Sequence, residues 1–133
     1  MNPHYIQIAL RAGHRCEYCH APEAVFNFPF EVEHIIPVSH GGCDAESNWA
    51  LACRSCNLRK ATHISGIDPL SQTAVRLFQP REDRWEEHFR VNTESGEIEG
   101  LTAVGRATIA RLEINSKAQK EARRQWTRFG LFP

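Results

Sequence analysis

The chain has 133 residues, and its 16 basic residues balance 16 acidic ones. That length sets an expectation of one domain over residues 1–133, and the neutral total argues against a nucleic-acid binder that is basic throughout. No apolar run approaches the ~18 residues of a membrane span and the first residues lack a signal-peptide pattern, so the chain reads as soluble and cytoplasmic with no membrane partner.

Taken in order, residues 3–11 have the periodicity of a short helix, with Ile6, Ala9 and Leu10 on the apolar side and Gly13 as the stop. Cys16-Glu17-Tyr18-Cys19 follows as a compact knuckle. Residues 26–29 are apolar and extended. Phe30, Val32 and His34 then alternate with Glu31 and Glu33 as in a strand, which Pro37 ends. His40 to Asp44 form a glycine-marked loop. Trp49 to Ala52 fit a second strand, and Ser55 to about Thr62 a helix.

Gly66, Pro69 and Ser71 mark a connector between residues 1–66 and 67–133. Beyond it, Leu77-Phe78, residues 88–92 and residues 97–101 read as strands, the last two joined by a hairpin turn. Thr102 caps a helix through about Leu112. Ser116 and Gln119 form a capping box for a final helix, with Ala118, Ala122, Trp126 and Phe129 on its apolar side. The fold class is α+β.

Five cysteines without an export signal do not suggest a disulfide framework. Cys16, Cys19, Cys53 and Cys56 instead form two Cys-x-x-Cys pairs, the ligand set of a closed, structural zinc site. Four thiolates leave no open position, so any catalytic ion must sit elsewhere. Cys43 is left over as a loop residue.

Charge is unevenly distributed. Residues 82–99 carry seven acids and two bases, and residues 103–133 carry seven bases and two acids. A local field of this kind can steer a polyanion even when the total is neutral. Lys117, Lys120, Arg124 and Arg128 share one face of the final helix, read either as a solvated surface or as a grip on the phosphate backbone. Arg54 and Arg59 are further candidates for phosphate contact.

Between the two knuckles lies a set of groups suited to phosphodiester hydrolysis. His34 can take a proton from water near neutral pH. Glu33 and Asn57 offer the oxygen ligands that Mg²⁺ or Mn²⁺ prefers, and such an ion would neutralise charge on the phosphate. Lys60, three residues after Asn57 on the expected helix, shares its face and is placed to hold a phosphate oxygen. Asn48 is expected to tie the loop to the strand and keep His34 oriented. His40 and His63 stand outside this set.

The segment from Cys16 to Lys60, and above all Glu33-His34, Asn48, Asn57 and Lys60, resembles the HNH endonucleases. The resemblance implies a ββα-metal finger with zinc knuckles, and here a C-terminal hairpin and two helices packed on it. It implies His34 as general base, Asn48 as the central asparagine, and Asn57 with Glu33 as ligands of the catalytic metal. The implied activity is metal-dependent hydrolysis of DNA, with RNA also open as a substrate. The alternative from another class is a non-catalytic, zinc-stabilised nucleic-acid-binding module. Target sequence, strand preference, pathway and oligomeric state are not legible.

Overall fold

The computed structural model describes residues 2–133. Helix α1 (Tyr5–Arg11) leads into the first knuckle, strands β1 (Glu31–His34) and β2 (Trp49–Ala52) form an antiparallel pair, and helix α2 (Arg54–Lys60) follows directly. A second pair, β3 (Ser65–Ile67) and β4 (Ala74–Arg76), precedes the one-turn helix α3 (Trp85–His88). The hairpin of β5 (Phe89–Val91) and β6 (Ile98–Gly100) and the helices α4 (Ala103–Leu112) and α5 (Lys117–Arg128) complete the chain. This is a mixed α/β arrangement of short two-stranded sheets and five helices. No helix among the described residues is long and apolar enough to cross a membrane.

Helix α1 buries a different stripe from the one expected. Ile8 and Ala9 are buried, and Tyr5 and Ala12 pack beside them, an i, i+3, i+4, i+7 pattern. Ile6 and Leu10, assigned to the core from sequence, are 70% and 66% exposed. Only one narrow side of this short helix meets the β1–β2 pair.

The first half turns about Leu51, which exchanges backbone hydrogen bonds with the knuckle. Glu17 donates to the Leu51 carbonyl at 2.9 Å, and the Leu51 N–H donates to the Glu17 carboxylate at 2.8 Å. The second half shares its hydrophobic core with the first and is also tied to it by polar contacts. The Trp85 indole donates to the Tyr18 carbonyl at 2.9 Å, and the Arg15 guanidinium donates to the Leu131 carbonyl at 3.0 Å.

Several expected elements shift. Leu77 and Phe78 lie just beyond β4 and are buried, while Ser65–Ile67, expected as a connector, pairs with β4. Trp85–His88 is helical where a strand was expected to begin. Thr102 caps α4, its hydroxyl accepting from Gly105 at 3.1 Å. Gly105 is required there, since a Cβ would meet the His88 carbonyl oxygen at 2.2 Å.

The α5 capping box forms only in half. Ser116 accepts from the Gln119 N–H, but the Gln119 side chain reaches Ser55 at 2.7 Å instead of turning back. Ala118 and Phe129 are exposed, and the residue buried deepest on α5 is Arg123. Of the expected apolar side, Trp126 packs on the core, its ring 6.0 Å from that of Phe26.

Candidate active site and metal centre

The two knuckles converge. Cys16, Cys19, Cys53 and Cys56 are buried, and their sulfurs all lie within 4.8 Å of one another. Cys19 Sγ and Cys53 Sγ are 3.8 Å apart. A tetrahedral zinc with ~2.3 Å bonds needs sulfurs roughly 3.8 Å apart, the separation of this pair, so the cluster has the size and donor set that ion takes. Cys53 also caps α2, its sulfur accepting from the Cys56 N–H at 3.5 Å, which ties the helix start to the metal centre. Hydrogen bonds among the four thiols hold Cys53 far below its ordinary pKa and push Cys19 and Cys56 well above theirs. Cys43 is exposed and lies outside the cluster.

The knuckle also reaches the floor of a neighbouring cleft. Tyr18, between Cys16 and Cys19, is fully buried and its hydroxyl donates to Glu33. Burial, reinforced by the Glu33 charge, pushes the Tyr18 pKa well up, so the phenol stays a donor. Glu33 in turn accepts from Lys60 Nζ at 3.2 Å. Burial raises the Glu33 pKa, with Lys60 and Tyr18 opposing the shift.

Strand alternation is kept through β1, so Glu31 and Glu33 share one side while Val32 and His34 share the other. Contrary to the amphipathic expectation, the most buried residue of this strand is the charged Glu33, at 7% exposure. It is tolerated because Lys60 and Tyr18 satisfy it.

Lys60 departs furthest from its expected role. It is 1% exposed, and besides Glu33 its ammonium donates to the carbonyls of Ile35 at 2.8 Å and His34 at 3.3 Å. All its bonds are used in pinning α2 to the end of β1, so it does not face solvent to hold a phosphate. Asn57, one turn earlier on α2, donates from its side-chain amide to Glu31, a residue the sequence reading did not single out. The i−2 relation of Glu31 to Glu33 on one strand side was the available signal.

A cleft of about 280 Å³ is lined by Val32, Glu33, His34, Pro37, Val38, Asn57, Ala61 and Thr62. That lies just under the ~300 Å³ at which drug-sized pockets begin, a size suited to a phosphate group and waters. His34 is 38% exposed at its side chain, and its Nε2 lies 3.0 Å from Asp44 Oδ1. The same Asp44 oxygen accepts from the Trp49 indole at 3.2 Å. Its hydrogen bond with His34 holds the Asp44 carboxyl below its usual range, so the carboxylate is the acceptor of the pair. Asp44 was not identified from sequence, because a loop aspartate ten residues on reaches His34 only when the loop closes.

Asn48 accounts for that closure. Its amide oxygen accepts from the Ile36 N–H at 2.9 Å, and its NH₂ donates to the carbonyls of Ile36 at 2.9 Å and Cys43 at 2.8 Å. Gly42 is needed beside it, since a Cβ there would lie 1.7 Å from the Ile36 carbonyl oxygen.

The basic candidates are dispersed. Arg54 is exposed, and Arg59 pairs with Glu113 at 3.0 Å. Lys117, Lys120 and Arg124 line one shallow surface with Ser95 and Glu121, Arg124 bonding Glu121 at 3.1 Å. Arg128 donates to Gln125 at 3.3 Å. His40 is exposed in the loop, and His63 lies 3.4 Å from Arg111 on the surface.

Four buried cysteines able to hold a metal ion thus brace a strand pair and helix, and a histidine–carboxylate pair lies at the cleft beside them. Residues 16–63 match the family model described as HNH endonuclease. No curated protein and no solved structure matches the chain.

Proposed function

We propose that the protein is a metal-dependent HNH endonuclease that hydrolyses phosphodiester bonds in DNA. The observation that carries this reading is the single cleft shared by Glu33, His34 and Asn57, with the His34 ring tied to Asp44. Asp44 fixes the proton on Nε2 and leaves Nδ1 to take one from an attacking water. Asp44 is thus a positioning residue, and Asn48 holds the loop that carries it.

The divalent cation, Mg²⁺ or Mn²⁺, is assigned to Asn57 and Glu33, where it would neutralise charge on the phosphate and the leaving oxygen. Glu31 orients the Asn57 amide: with the NH₂ held by Glu31, the amide oxygen is left for the ion. Lys60 fixes the Glu33 carboxylate in place of its expected phosphate contact. Arg54, Arg59 and the basic residues of α5 supply contacts along the nucleic-acid backbone.

One observation favours the second reading, a zinc-stabilised nucleic-acid-binding module without turnover. Glu33 is already engaged by an ammonium, and that positive charge opposes a cation at the same carboxylate. A plasmid-nicking assay with Mg²⁺, Mn²⁺ and chelator separates the two. Wild type should nick and His34→Ala should lose at least two orders of magnitude, the usual worth of a general base. Equal nicking by both, or DNA retention with no nicking under any metal, rejects the enzyme.

A further inference from the structure

Arg123 is an unexplained charge. It is fully buried on α5. Its Nε donates to the Gly96 carbonyl, and its Nη2 donates to the carbonyl of Ile114 at 2.8 Å and the side-chain oxygen of Asn115 at 2.9 Å. All three acceptors are neutral. Its Nη1 is buried with no hydrogen-bond partner among the described residues. A buried guanidinium normally costs several kcal/mol unless an anion accompanies it. No carboxylate is among its hydrogen-bond partners.

Helix α5 meets the second knuckle. Gln119, one turn before Arg123 on the same side of α5, bonds Ser55, which sits between Cys53 and Cys56. That contact docks this side of α5 on the second knuckle. Burial pulls the Arg123 pKa down, while the charges of Cys19, Cys56 and Cys53, with Glu97 behind them, pull it up. Four thiolates around Zn²⁺ leave two negative charges uncompensated in a buried place. A cation placed behind them offsets part of that excess, and they offset its own burial.

We propose that Arg123 is the buried counter-charge of the four-cysteine zinc centre, so that metal loading and the docking of α5 stabilise each other. The proposal concerns the zinc centre alone and stands or falls separately from the nuclease reading. It also accounts for a polar residue taking the deepest position on a helix whose sequence offered alanines and aromatics for it.

The test compares zinc affinity in the full chain, by competition with a chromogenic chelator, for Arg123→Met, Arg123→Lys and Leu112→Ala. Leu112 is buried nearby in sequence and carries no charge, so its truncation reports loosened packing alone. Arg123→Met should bind zinc at least tenfold more weakly than wild type, Arg123→Lys within about threefold, and Leu112→Ala close to wild type. The Co²⁺-substituted protein should show the thiolate-to-metal absorption of Arg123→Met displaced from that of wild type, and that of Arg123→Lys nearly unmoved. Should Arg123→Met fail to fold, Arg123→Gln, which keeps a donor but no charge, replaces it in the comparison. Wild-type zinc affinity in the neutral variants, or equal weakening in the Lys, Met and Leu112→Ala proteins, overturns the proposal.

Discussion

The two most deeply buried cations, Lys60 in the first half and Arg123 in the second, are satisfied in opposite ways. Lys60 has a carboxylate at 3.2 Å and two backbone carbonyls, all supplied by β1 and the residue after it. Arg123 has only neutral hydrogen-bond acceptors and one unpartnered nitrogen, with the cysteine cluster and Glu97 as the sources of negative charge around it. Lys60 is therefore balanced by the polypeptide alone, whereas Arg123 depends on the state of the cysteines. Two buried charges of the same sign thus respond differently to the removal of metal.

The largest perturbation is at the cysteines themselves. Cys56→Ser, or exhaustive chelation, removes a contribution on the order of 10 kcal/mol, the scale of a structural zinc in a small domain. The expected outcome is loss of the cooperative thermal transition, followed by circular dichroism. A variant that melts like wild type would show that the knuckles are packed thiols and not a metal centre.

The next effect separates the two cations. Lys60→Met strands the Glu33 carboxylate and should cost about 3–5 kcal/mol by denaturant titration, with or without added zinc. Lys60→Met with Glu33→Gln should recover part of that loss, because no lone charge is left inside. If single and double variants are equally unstable, the pair is not what holds α2 to β1.

The smallest expected effect lies in a third buried ion. Asp68 accepts two hydrogen bonds from Arg106, at 2.8 and 3.0 Å, and others from Ser71 and the Leu70 N–H. Arg106 above all holds its carboxyl below the ordinary value of 3.8. A depressed carboxyl contributes stability in full above that ordinary value and loses it as pH falls toward the folded value. Asp68→Asn should therefore flatten the acid limb of the stability–pH curve below about pH 4, leaving its shape at neutral pH unchanged. An unchanged acid limb would assign that pH dependence to other carboxyls.

Legibility followed the range of the interactions. The four cysteines converge as their spacing implied, and Thr102 and Ser116 cap the helices expected of them, since caps and knuckles are set within three or four residues. The failures were long-range. Asp44 meets His34 only because Asn48 and Gly42 close the loop, and nothing local marks that meeting. Glu31 was passed over in favour of Glu33, although alternation sends both toward α2.

By itself the sequence determined the four cysteines that converge, the positions of the strand pair and most helices, and the histidine on which the catalytic reading rests. Those follow from spacing, periodicity and side-chain chemistry, which are properties of neighbouring residues. Only the tertiary structure decided which charges were buried and which faced solvent. Lys60 and Arg123 have the composition of surface residues, and the charges around them come from distant parts of the chain: Glu33 for Lys60, and the cysteines and Glu97 for Arg123.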